Sequence, residues 1–273
     1  MFGTAVASTI AYGIADYQRL GASLLGAGIA GGIVTRLVMY YASVPTSGSV
    51  ALVGAMVGAI WAGPGLAAVE MHGVEKVAIA LVVSPVAGFV AGAAVYAMLL
   101  LVLSFASRRT GDRMMQLQWG TVTLQALGYG ANDAEKTIGI FAATMVVAGG
   151  GQSFATPFWM IALTAATFAA GMILGGMRIA RTVGSRLFSI RPPHALAFQI
   201  AAAATVLGAA AFGAPVSSTQ AATSAILGVG ASDNPRTLHW QTVARIVGSW
   251  VLTAPTALCA GALGTLVLRL FGR

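Results

Sequence analysis

Residues 215–228 read PVSSTQAATSAILG, and residues 45–58 read PTSGSVALVGAMVG. Proline, a serine two places on, two alanines and a closing glycine coincide at an offset of 170 residues. The same offset carries Ser84-Pro85 in LVVSPVAGF onto Ala254-Pro255 in VLTAPTALC. An offset of 173 brings GTAVASTIA at Gly3 onto GMRIARTVG at Gly176, a thinner match. Repetition at a fixed distance means two related structural units. The division reads as 1–107, a remnant of a first repeat, and 108–273, a second repeat.

Composition sets the solvent for both units. Charged residues are 8% of the 273-residue chain, against about a quarter in a soluble domain, and AVILMFWYC residues reach 58%. Mean hydropathy is +0.85. Apolar segments fall near residues 20–42, 50–68, 77–106, 119–150, 156–177, 195–213, 215–232 and 243–271. Most are long enough for a hydrocarbon core of about 30 Å, which takes about 20 helical residues, and they lack the alternation of a membrane barrel. Backbone polar groups in lipid must be satisfied internally, so the reading is an all-α integral membrane protein. It is a polytopic bundle whose Gly and Ala content lets helices pack closely.

The net charge of +8 is accordingly no nucleic-acid surface. Arg108, Arg109 and Arg113 share one short loop, and Arg178, Arg181, Arg186 and Arg191 mark another, which places both loops in the cytoplasm. A membrane is the expected location, so the bilayer itself is a partner. Cys259 is the single cysteine, so an intrachain disulfide is excluded. The opening MFGTAVASTIAYGIADYQRL has no basic n-region or cleavage site, and reads as a chain entered mid-fold.

One apolar run contains charge. Gly128 to Phe141 reads GYGANDAEKTIGIF, placing Asn132, Asp133, Glu135 and Lys136 among lipid-compatible flanks. Ionisable groups at membrane depth cost several kcal/mol unless paired or set in a wet cavity, so they mark function by default. The plainer alternative is a structural ion pair, since Asp133 and Lys136, three apart, share a helical face. Gly128 and Gly130 would let the helix break before Asn132 and expose fresh N–H groups. Broken helices at the midplane are how secondary transporters hold substrates and ions.

The repeated element offers a second broken helix. Pro215 suits a first helical turn, and Ser217, Ser218 and Thr219 add hydroxyls beside unpaired N–H groups. That combination takes an anion, or is simple capping. The first copy has Gly48 where the second has Ser218, with Ser47 matching Ser217. Asp133 would repel an anion, which argues for a cation between them, held by hard carboxylate and amide oxygens. His72, His194 and His239 read as interfacial or solvated, and Trp61, Trp159 and Trp240 as interfacial anchors. No nucleophile-base pair or metal-binding spacing is present, so the chain does not read as an enzyme and no cofactor is expected.

These residues resemble a known family. GANDAEKTIGI is similar to the GANDxxKTxGI signature of the inorganic phosphate transporter family, and PVSSTQAATSAILGVGA to its PVSTTH element. GTAVASTIAYGIAD, VPTSGSVALVGAMVGA, LVVSPVAGF and GGMRIARTVG follow that family's order. The resemblance implies two inverted repeats with broken or re-entrant helices, and a low-affinity permease moving inorganic phosphate with sodium or protons. On it, Asn132, Thr137, Ser217, Ser218 and Thr219 would bind phosphate. Asp133, Asn132 and Ser47 would bind the cation, with Glu135 and Lys136 balancing charge.

Departures from the pattern keep other readings open. Glu135 stands where glutamine is usual, and Gln220 and Val50 where histidine closes the family's element. Another oxyanion such as sulfate is one alternative. A first GAND motif would lie before Met1, so a non-transporting membrane subunit is another, as is a homodimer that completes its site between protomers.

Overall fold

The computed structural model describes residues 5–43, 45–105, 110–149 and 157–271. Nine helices follow in order among them: α1 (Ala5–Tyr12), α2 (Tyr17–Tyr41), α3 (Gly48–Ala62), α4 (Met71–Ser104), α5 (Thr110–Val147), α6 (Phe158–Arg186), α7 (Pro192–Ala211), α8 (Ser218–Asp233) and α9 (Trp240–Phe271). Short 3-10 turns at Leu66–Ala68 and Pro235–Thr237 precede α4 and α9. Among the described residues, five helices are long and apolar enough to cross a membrane: α4, α7, α9, the Gly21–Tyr41 part of α2 and the Phe158–Gly176 part of α6. The expected segments match α2 to α9 closely, while α1 was not anticipated. Gly3, Arg108 and Arg109 lie outside the described residues, as do the side chains of Arg113, Arg178, Arg181 and Arg186.

The offset seen in the sequence is an offset of whole elements. Shifted by 170, α3 falls on α8, the first 3-10 turn on the second, α4 on α9 and the straight part of α2 on α7. Both long partners keep an internal proline, Pro85 in α4 and Pro255 in α9. At 15 and 16 residues, α3 and α8 are about 22 to 24 Å long, short of a bilayer core. Each returns from a turn after α2 or α7, and the two turns touch, because Ser49 Oγ donates to the Val216 carbonyl at 3.2 Å. Turns that meet inside the bundle make α2–α3 and α7–α8 re-entrant hairpins. Between them lie α4 and α6, both among those five, and α5, whose 38 residues give about 57 Å of helix, enough to cross by length although its charged cluster lowers its apolarity. Three passages, an odd number, bring the hairpins in from opposite faces. The repeats are therefore inverted.

Packing crosses the sequence halves. Helix α9 packs most extensively on α3 and also on α2, while α4 packs on α8 and α7. Two trios result: α2, α3 and α9, and α7, α8 and α4. Glycine permits the close approach. A Cβ on Gly58 would lie 2.0 Å from the Leu258 carbonyl oxygen, and one on Gly228 would lie 2.0 Å from that of Phe89. Without a hydrophobic drive between helices in lipid, such backbone contact supplies the dispersion that holds them.

Two expectations need correction. Helix α5 runs unbroken through Gly128 and Gly130. Gly128 instead makes room for α7, since a Cβ there would lie 3.2 Å from Leu207 Cγ. An intact ladder leaves no backbone group unsatisfied in an apolar setting. His194 is not solvated, being 1% exposed and fully hydrogen-bonded. His72 is exposed, as are Trp61, Trp159 and Trp240.

Candidate functional site

The two hairpin turns are built alike. A buried proline, Pro45 or Pro215, precedes Thr46 or Val216 and then a serine in the β region that caps the returning helix. Ser47 Oγ accepts from Val50 N at 3.2 Å, and Ser217 Oγ accepts from Gln220 N at 3.2 Å. Both serines are thus N-caps, the plainer of the readings open to them. The turns are also pinned from outside. Ser249 on α9 donates to the Pro45 carbonyl at 3.1 Å, Thr46 and Thr253 hydroxyls pair at 2.6 Å, and Thr9 on α1 donates to the Gly213 carbonyl at 3.2 Å.

Helix α5 brings the charged cluster to this junction. Asn132 Nδ2 donates to the Val216 carbonyl at 3.0 Å, and Lys136 Nζ donates to the same oxygen at 2.6 Å. With Ser49, three donors converge on one backbone oxygen that offers two lone pairs. Lys136 also pairs with Asp133 Oδ1 at 2.8 Å, while Ser218 Oγ donates to Asp133 Oδ2 at 2.7 Å. The predicted shared face is therefore real, and it ties α5 to the tips of α3 and α8. Asn132, Lys136, Ser49, Ser217 and Ser218 are buried, while the Asp133 side chain keeps 27% of its surface open. Two buried acceptors, Asn132 Oδ1 and Gln220 Oε1, have no hydrogen-bond partner among the described residues. Native buried polar atoms are rarely left so, and such acceptors suit a protonated oxyanion, a cation or water.

Other predicted residues are placed differently. Glu135 turns away from Asp133 and accepts from Val6 N at 3.1 Å, at the amino end of α1, where a carboxylate also meets the helix dipole favourably. Thr137 is half-buried and donates back to the Asp133 carbonyl at 3.3 Å. Thr219 is half-buried on the first turn of α8, next to Ser218. Ser49 and the Val216 carbonyl were not singled out from the sequence. Ser49 was reachable, because the offset of 170 pairs it with Thr219, whereas a backbone carbonyl leaves no mark in residue type.

A second polar cluster joins α4, α7 and α8 away from this junction. Tyr96 donates to Asp233 Oδ1 at 2.6 Å, and Arg191 Nη2 donates to Asp233 Oδ2 at 3.0 Å. Arg191 N donates to His194 Nδ1 at 3.1 Å, so the ring proton sits on Nε2, 3.3 Å from Asp233 and 3.2 Å from the Tyr96 hydroxyl. The Tyr96 hydroxyl holds the Asp233 carboxyl below its ordinary value, helped by His194 and Arg191 and opposed by burial. A lowered folded value stabilises above the unfolded value of about 3.9 and stops doing so as pH falls through it. Asp233→Asn should then cost about 1.5 to 3 kcal/mol at neutral pH, the worth of a hydrogen bond to a charged group. Thermal unfolding should show the gap between the two proteins closing below about pH 4.

Among the described residues, no group of three or more His, Cys, Asp or Glu side chains converges on one point. The profile of the phosphate transporter family matches residues 1–116 and 106–261. A "probable low-affinity inorganic phosphate transporter" of Mycobacterium tuberculosis is 37% identical over 263 residues, covering 95% of this chain and 63% of that protein. A protein of the same name from Bacillus subtilis is 33% identical over 271 residues, covering 98% of this chain and 81% of its own length. The chain thus spans under two thirds of the mycobacterial relative. A solved structure, described as the sodium-dependent phosphate transporter, superposes with a TM-score of 0.84 over 98% of this chain and 86% of that one, at 20% identity. That likeness carries the fold, and with the sequence matches it places this integral membrane chain in the phosphate transporter family.

Proposed function

We propose that the chain serves as a low-affinity transporter of inorganic phosphate, coupled to sodium or protons. The observation that carries this reading is the meeting of two re-entrant helix tips at the buried Asn132, Asp133 and Lys136. Helix amino ends with hydroxyls favour an anion, and Asp133 beside them favours a cation. Phosphate would lie against Ser218, Thr219 and the first-turn N–H groups of α8. Asn132 and Thr137 would approach it from α5. Ser217 acts here by capping α8, and Ser47 by capping α3, rather than by direct ligation. The coupling cation is cargo, and the proposal requires no cofactor.

Alternating access would move one trio against the other around the junction. Ser49, on the α3 tip, bonds the Val216 carbonyl of the α8 tip, so that link is a candidate contact to be remade in each cycle. A gradient can do work only if cation and phosphate favour each other's binding, typically by about 1 to 3 kcal/mol. Asp133 and the adjacent α8 tip are close enough for that coupling.

Sulfate competition tests the substrate. Glu135, which suggested a different oxyanion, is engaged by α1 and so gives that alternative little support. Radiolabelled phosphate bound by purified protein in nanodiscs should be displaced by unlabelled phosphate and resist equal sulfate by at least about tenfold, or 1.4 kcal/mol. Equal displacement by sulfate would indicate a general oxyanion site, and absence of binding a membrane subunit with another role.

A further inference from the structure

At this junction the oxygens best suited to hold a cation are already engaged. Asp133 Oδ1 and the Val216 carbonyl are hard ligands of the kind that alkali and alkaline-earth ions take. The ammonium of Lys136 rests on both, at 2.8 and 2.6 Å, and the residue is 7% exposed. It reaches them from the same helix face as Asp133, so the arrangement is fixed by α5 itself rather than by a mobile loop. Asn132 and Ser49 complete the surroundings of the carbonyl, and Ser218 holds the other carboxylate oxygen. A second positive ion at these oxygens would face the ammonium at contact distance in a poorly solvated setting, where like charges repel strongly.

We propose that Lys136 is a tethered cation. Its ammonium takes the place at Asp133 and Val216 that a sodium ion would occupy, and ligand binding at this junction proceeds without sodium. The inference rests on the junction being the phosphate and cation site. It also assigns Lys136 a specificity role beyond pairing: removing the charge without shortening the side chain should convert the junction into a sodium-responsive one. The Asp133 carboxylate and the Val216 carbonyl would then lack their resident positive charge, and Asn132 Oδ1 is one more buried oxygen without a partner.

The experiment compares the wild-type chain with Lys136→Met and Lys136→Arg, purified in nanodiscs, in sodium chloride against choline chloride at equal ionic strength. Thermal unfolding reads sodium binding without phosphate, and radiolabelled phosphate binding reads the coupled site. Wild type and Lys136→Arg should be indifferent to sodium in both. Lys136→Met should gain a sodium-specific rise in melting temperature, and its phosphate affinity should improve about tenfold with sodium. A sodium-specific shift in the wild type overturns the proposal, as does a folded Lys136→Met that ignores sodium. If Lys136→Met does not fold, Lys136→Gln replaces it, and the wild-type response alone can still refute the idea. Absence of phosphate binding in every protein counts against the transport reading instead, because the melting-temperature arm still reports the cation.

Discussion

Asp133→Asn lowers phosphate binding and uptake by at least about 100-fold, a loss of about 3 kcal/mol, in a protein that still folds. The substitution keeps the shape and one acceptor oxygen, so Lys136 retains a partner and the Ser218 hydroxyl can turn to accept from the new amide. What is lost is the negative charge that balances Lys136 beside the α8 tip. Removing one member of a fully buried pair costs about 3 to 5 kcal/mol. Asp133 keeps 27% of its side-chain surface open, so the stability loss should be smaller than that. Circular dichroism and size exclusion check the fold, and radiolabelled phosphate checks the function. Retained binding with lost stability would make the Asp133–Lys136 pair a structural device only.

Gly228→Val has the largest expected effect on stability. Its Cβ would sit 2.0 Å from the Phe89 carbonyl and 3.0 Å from Ala93 N, both backbone atoms that cannot rotate aside. Helix α8 must then move off α4, at a cost of about 1 to 3 kcal/mol or more for an overpacked interface. Gly58→Val should behave alike, because the repeat gives it the Leu258 carbonyl at the same 2.0 Å. Gly248→Ala is the control: nothing lies within 4 Å, so it should be neutral or stabilising by up to about 1 kcal/mol through helix propensity. Melting temperatures in detergent separate the three. A Gly228→Val protein as stable as the control would contradict the crosswise packing.

Much of this architecture is legible in the residues, for physical reasons. A bilayer imposes a length on apolar helices, so the apolar segments from α2 to α9 fall where hydropathy puts them. The offset of 170 between the PTSGS and PVSST elements announces the repeat, and inversion follows once three crossings are found between the hairpins. The i, i+3 spacing of Asp133 and Lys136 foretells their contact. Other features depend on partners that sequence does not name. Gly128 reads equally as a break or as a place for close approach, and only Leu207 of α7 decides between them. Helix α1 is eight residues long and owes its placement to α5, including the Val6–Glu135 bond. The crossing of α4 to α8 and α9 to α3 has no signature in any one helix. His194 lacked a visible partner because Tyr96 lies 98 residues before it.

The central claim is that two inverted re-entrant tips and the α5 cluster make a phosphate transport site. Uptake of radiolabelled phosphate into proteoliposomes holding this chain, with sodium and proton gradients imposed separately and Asp133→Asn alongside, tests it most directly. The account predicts uptake driven by an imposed cation gradient, absent from the variant. Well-folded wild-type protein that takes up no phosphate, or equal uptake by wild type and Asp133→Asn, would contradict it.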